Sequence, residues 1–158
     1  MLFQRSQTYE DWAVTLTLPS SWDPIPESRP GLLAFQDKAG MRLTVGTIRL
    51  RERPKDAQTL FEAVRDVYAV RIEEERKLMD PGDPLNTKDV KNANEGPTGV
   101  FVGTKRAKGR MFSGVVIGKG ADIVTLYLEG PHTSAETVKS HMALMAKLFE
   151  GLRLKGEM

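Results

Sequence analysis

Two adjoining stretches, Arg110 to Ile117 and Asp122 to Glu129, are apolar on both sides of a strand, and they limit the possible folds more than any other feature. Val115 and Ile117 oppose Val116, while Ile123 and Tyr127 oppose Val124, Leu126 and Leu128. Successive side chains of a strand point to opposite faces, so both faces of this pair must be kept from water. That requires a sheet with cover on each side, supplied by helices or by another molecule.

The remaining pattern supplies further strands. In Trp12 to Leu18, Trp12, Val14, Leu16 and Leu18 share one face and Ala13, Thr15 and Thr17 the other. Pro19 ends this strand because it has no N–H to give a ladder. Trp22 and a loop with Pro24, Pro26 and Pro30 follow. Leu32 to Gln36 and Met41 to Arg51 read as a hairpin around Asp37-Lys38-Ala39-Gly40. Thr87 to Asn92 reads as a weak edge strand, and Gly99 to Lys105 joins the two-sided pair in an antiparallel meander. The meander's turns, Arg106 to Gly109 and Gly118 to Ala121, are short and contain glycine.

Two helices are predicted. Asp56 caps the first, whose apolar stripe is Leu60, Phe61, Val64, Val67, Tyr68 and Ile72. It ends near Met79, ahead of Asp80-Pro81-Gly82-Asp83-Pro84, and the run Glu73, Glu74, Glu75, Arg76, Lys77 forms its wet face. Thr133 and Glu136, spaced as a capping box, start the second. Its stripe is Val138, Met142, Met145, Phe149 and Leu152, and Gly151 and Gly156 mark a fraying end. The expectation is one α+β domain over residues 1–158, its core about 9–152. It holds an antiparallel β-sheet of about six strands with two long amphipathic helices packed on it.

Composition narrows the chemistry. Without cysteine there is no disulfide framework, thiolate zinc site, iron–sulfur cluster or thiol nucleophile. No apolar run approaches the roughly 18 residues that span a bilayer. Met1 to Glu10 is polar and lacks the apolar centre of a secretory signal, so a cytoplasmic location is expected, without membrane insertion. The 23 basic and 21 acidic residues leave a net charge of +2. Basic residues cluster at Arg49, Arg51, Arg53 and Lys55 and at Lys105, Arg106, Lys108 and Arg110, with no interleaved aromatic platform. They read as solvated strand ends, and no nucleic-acid partner is expected.

Motifs for catalysis fail on spacing. His132 and His141 are nine positions apart, which does not set two imidazoles on one metal, and both read as surface or capping residues. Ser113-Gly114 lacks the first glycine of a nucleophile elbow because Met111 stands there. Gly114 to Gly120 is one residue too short for a phosphate loop and leads into a strand. Asp80, Asp83 and Asp89 have prolines among them, which suits a helix stop better than a calcium loop. No catalytic, metal or cofactor site is expected. Trp12 and Trp22 read as core pins, and Met142 and Met145 as gap fillers on the inner face of the last helix.

The order of elements, with Leu18-Pro19-Ser20-Ser21-Trp22 closing the opening strand and Leu126-Tyr127-Leu128 closing the meander, resembles the PsbP-like fold group over Tyr9 to Leu152. Within that group it is similar to the DcrB-related bacterial proteins. The polar start departs from their exported members and is compatible with cytoplasmic members associated with type VI secretion. The resemblance implies a homodimeric, non-enzymatic chaperone or adaptor for the membrane-seeking segments of a secreted effector, and it supplies no catalytic residues.

On this reading the sheet itself accepts an apolar helix of a client, with Leu43, Val45, Val124, Leu126 and Leu128 as contacts. The alternative is an immunity protein or regulator that grips a folded partner with polar loops, Pro24 to Pro30 or Asp80 to Asn94. A small-molecule enzyme stays open only if a perturbed carboxylate lies beside His132 or His141.

Overall fold

The structure, a computed structural model, describes residues 5–29 and 31–156. Residues 1–4 of the polar start, and Pro30 of the proline loop, lie outside the described residues. The elements run β1 (Ser6–Glu10), β2 (Val14–Pro19), β3 (Asp23–Pro24), β4 (Leu32–Gln36), β5 (Arg42–Arg49), α1 (Ala57–Leu78) and β6 (Leu85–Ala93). Then come β7 (Gly96–Lys105), β8 (Arg110–Lys119), β9 (Asp122–Pro131), α2 (Ala135–Glu150) and β10 (Leu152–Leu154). Among the described residues this makes ten strands, not about six, in two antiparallel sheets. The larger has the order β3-β4-β5-β9-β8-β7-β6 and the smaller β1-β2-β10.

The uncounted strands carry little pattern of their own. β1 is exposed except at Tyr9, so it shows no apolar alternation, and β3 has two residues. β10 occupies the predicted fraying end, where Leu152, Arg153 and Leu154 pair with Leu16, Thr15 and Val14. The meander follows the prediction, with β8 paired to β9 from Arg110↔Pro131 to Lys119↔Asp122. Gly120, at φ +64°, supplies the left-handed residue of that tight turn.

Each face of the large sheet has its own core. On one, Leu43, Val45, Val115, Ile117, Val124, Leu126 and Leu128 pack against Val14, Leu16 and Leu18 of β2, Met145 and Leu148 of α2, and Trp22. On the other, Phe101, Phe112, Val116 and Ile123 pack against Val64 and Tyr68 of α1. The two-sided strands therefore find both covers within one chain.

Asp56 caps α1 as predicted, its carboxylate accepting the Thr59 N–H at 2.8 Å, and the helix ends at Met79. The cap of α2 is Ser134, which accepts the Thr137 N–H at 3.3 Å, one residue beyond the predicted Thr133. Its buried stripe is turned accordingly: His141, Met145 and Leu148 face inward, whereas Met142 is 38% exposed. Glu75, assigned to the wet face of α1, is buried.

Rings opposite glycines let α1 approach the sheet. Phe101 of β7 stands across from Gly114 of β8, and Phe112 of β8 across from Gly103 of β7. A Cβ at either glycine would collide with the facing ring. Tyr68 closes the stack by donating its hydroxyl hydrogen to the Val100 carbonyl at 2.5 Å. Rings laid over glycines in this way turn a polar backbone surface into an apolar bed for the helix.

Candidate functional site

The five residues expected to meet a client are in the interior. Leu43, Val124, Leu126 and Leu128 are fully buried and Val45 is 1% exposed. All five point to the face that α2 and the small sheet cover, because they share one side of the β5–β9 ladder, where Leu43 pairs with Leu128 and Val45 with Leu126. They hold the fold together and offer no surface.

The other face is covered unevenly. α1 lies mainly over β6, β7 and β8, so the strip by Ile48 of β5 and Thr125 of β9 is left at the helix's edge and not beneath it. Ile48, on β5, is 52% exposed there, and Val70, on α1, is 56% exposed across from it. The two line a groove of about 390 Å³ together with Asp66, Val67, Arg71, Glu74 and Thr125. Val67 and Thr125 are half-buried, which gives the groove a mixed floor between two apolar edges.

A buried polar network bounds the groove. The Arg71 guanidinium pairs with Glu75 at 2.9 Å and lies 4.6 Å over the Tyr127 ring. Burial raises the Glu75 carboxyl above its ordinary value, against the pull of Arg71 and Lys105. Burial also pushes the Tyr127 phenol far up, helped by the negative charges of Glu75 and Glu129. Glu129 in turn takes Lys105 at 3.9 Å and Arg110 at 3.7 Å. Two members of the second basic cluster are thus tied to one carboxylate, and a third, Arg106, pairs with Asp83.

In the first cluster, Arg49 makes a two-pronged contact with the fully buried Asp122, at 2.7 and 2.9 Å, and stacks 4.4 Å over Trp12. Trp12 is therefore a half-open platform carrying an arginine, while Trp22 is the core pin that both were expected to be. Arg51, Arg53 and Lys55 are exposed in the connection to α1.

His141 is buried, which corrects its surface or capping assignment, and its Nε2 lies 2.8 Å from Ser113 Oγ on β8. Ser113 is likewise buried, and the imidazole Nδ1 has no hydrogen-bond partner among the described residues. Burial depresses the His141 pKa to about 4, so the ring is neutral at ordinary pH. Both groups are sealed from solvent, and their contact pins α2 to the sheet. Sequence spacing could not disclose the pair, because 28 positions separate the two residues. His132 sits half-buried ahead of α2, its N–H bonded to the Gly109 carbonyl at 2.9 Å. Among the described residues no three His, Asp or Glu side chains come together to hold a metal, and no helix is long and apolar enough to cross a membrane.

No family model matches the chain, and no curated protein matches it. Solved structures share its architecture, among them the following two. The solution structure of cyanobacterial PsbP (CyanoP) from Synechocystis sp. PCC 6803 superposes with a TM-score of 0.60 over 96% of this chain and 94% of that one, at 13% identity. The crystal structure of LpqN, involved in cell envelope biogenesis of Mycobacterium tuberculosis, does so with a TM-score of 0.50 over 95% and 90%, at 19% identity. At such identities the likeness is one of fold, and the fold is PsbP-like α+β.

Proposed function

We propose that this chain is a non-enzymatic binding protein that holds an apolar helical segment of a protein client in the groove between α1 and the β5–β9 pair. The observation that carries the reading is the pair Ile48 and Val70, each more than half exposed on facing edges of one concave strip. Large apolar side chains left in water on both sides of a groove favour an amphipathic helix laid between them. Each anchor buried contributes about 1.5–3 kcal/mol before the cost of association is met, so the loss of one anchor is read as a fall in affinity of about tenfold or more.

In its finer form the proposal follows the resemblance to the DcrB-related proteins: a cytoplasmic, homodimeric chaperone or adaptor for a secreted effector. The binding surface differs from the one first expected. The sheet face bearing Val124 and Leu126 already serves α2, and the strip beside α1 takes its place.

The test is fluorescence anisotropy with a labelled amphipathic helical peptide bearing a leucine face, against the full chain and the variants Ile48→Asp and Val70→Asp. Both positions are exposed, so the variants should melt close to the parent. Each should weaken the peptide by at least about tenfold. Equal binding by parent and both variants would sink the groove reading. Retention of a native client by these variants, with loss on substitution in residues 24–30 or 80–94, would favour recognition through loops.

A further inference from the structure

The groove's apolar centre sits between two carboxylates on the same row of α1. Asp66 and Glu74 lie four residues either side of Val70, so the three side chains project along one line of the helix at about 6 Å per step. Both carboxylates are exposed and both line the groove. Among the described residues neither is in an ion pair, whereas the nearby Glu73 and Glu75 are paired with Lys77 and Arg71. Arg71 is the one cation among the groove's lining residues, and Glu75 and the Tyr127 face already engage it. The opposite edge, Ile48 and Thr125, carries no charge.

An apolar site flanked by two unpaired negative charges discriminates by charge as well as by shape. We infer that the groove selects a client helix running along α1 with Lys or Arg four residues before and four residues after its apolar anchor. Such a helix sets its cations about 12 Å apart, the separation of Asp66 from Glu74, while its anchor meets Val70 and Ile48. The inference rests on the docking reading and gives the partner its chemistry: a basic amphipathic helix of another protein. The chain's own α2 places Lys139, Ala143 and Lys147 at this spacing. It offers a methyl where the groove needs a large anchor, and it packs on the opposite face of the sheet. A second copy seated by α2 would make a head-to-tail contact that does not close into a two-fold dimer.

Three synthetic helical peptides with one shared leucine face, carrying Lys, Gln or Glu at the two flanking positions, test this against the full chain by fluorescence anisotropy. The Lys peptide should bind roughly tenfold tighter than the Glu peptide, and the gap should narrow as salt rises. The double variant Asp66→Asn/Glu74→Gln should erase the ranking while keeping the affinity for the Gln peptide and the melting temperature of the parent. Equal affinity of the three peptides for the parent would overturn the charge selection and leave the docking reading standing. Loss of the Gln peptide in the double variant would overturn it as well. Binding of none of the peptides would remove the docking reading and this inference together. Self-association that Val70→Asp abolishes would assign the groove to a second copy and overturn the client.

Discussion

Replacing His141 by glutamine isolates a pH dependence that the buried imidazole builds into the fold. In the unfolded chain the ring titrates near 6.5, and in the folded protein burial holds it near 4. Between those values the unfolded chain binds a proton that the folded protein refuses, so stability falls as pH drops through this window and is flat above it. The same difference gives a loss of about 2 kcal/mol at pH 5 and approaches about 3 kcal/mol near pH 4. Glu75 acts with the opposite sign. Its raised pKa keeps a proton on the folded protein that the unfolded chain has shed, so its contribution is lost as pH rises through that raised value. The parent profile therefore mixes the two, and the variant separates them. A glutamine amide can meet Ser113 Oγ without titrating. Urea unfolding of both proteins between about pH 7.5 and pH 5 should show the parent losing roughly 2 kcal/mol more than His141→Gln. Parallel profiles would mean that the ring takes up its proton in the folded state, and that the Ser113 contact does not hold it in a dry interior.

Two further substitutions probe the sheet. Gly114→Ala puts a methyl against the Phe101 ring and should lower stability by about 1–3 kcal/mol in a thermal or urea melt, with Phe101→Leu in the same chain recovering part of the loss. Arg49→Leu strands the buried Asp122 carboxylate and should cost about 3 kcal/mol, and adding Asp122→Asn should restore most of it.

What sequence patterning discloses depends on how local the cause is. The stripe of α1 and the Asp56 cap are legible because a helix writes its buried face every three or four residues. The β8–β9 meander is legible because its turn is short and its strands are long. β3 and β10 are not, since strands of two and three residues owe their existence to the neighbour they pair with. The inward turn of His141 is hidden for a related reason: a histidine reads as polar until a buried hydroxyl on another element meets it. The burial of Leu43, Val45, Val124, Leu126 and Leu128 is hidden for another reason. Period-two alternation shows that Val124, Leu126 and Leu128 share a face, but which face lies open depends on where the helices come to rest.

That placement has a physical origin in the glycines. Gly99 and Gly103 of β7, with Gly114 and Gly118 of β8, leave a column over which Tyr68, Phe112, Phe101 and Val64 sit closer than any Cβ would allow. Helix α1 settles where the bed is deepest, over β6 to β8, and the Tyr68 hydroxyl fixes it to β7 through Val100. β5 presents Thr44, Gly46 and Ile48 on that face, a shallower surface with no aromatic ring to draw the helix across. The open strip is thus a consequence of where the rings are and not of a shortage of helix. Widening the bed should therefore close the groove: an aromatic residue at Thr125 would compete for Val70 from below. Thr125→Phe is expected to raise the melting temperature and weaken a bound apolar peptide together. Stabilisation without loss of peptide would show that Val70 faces its partner from outside the strip and that the groove's floor is not where binding happens.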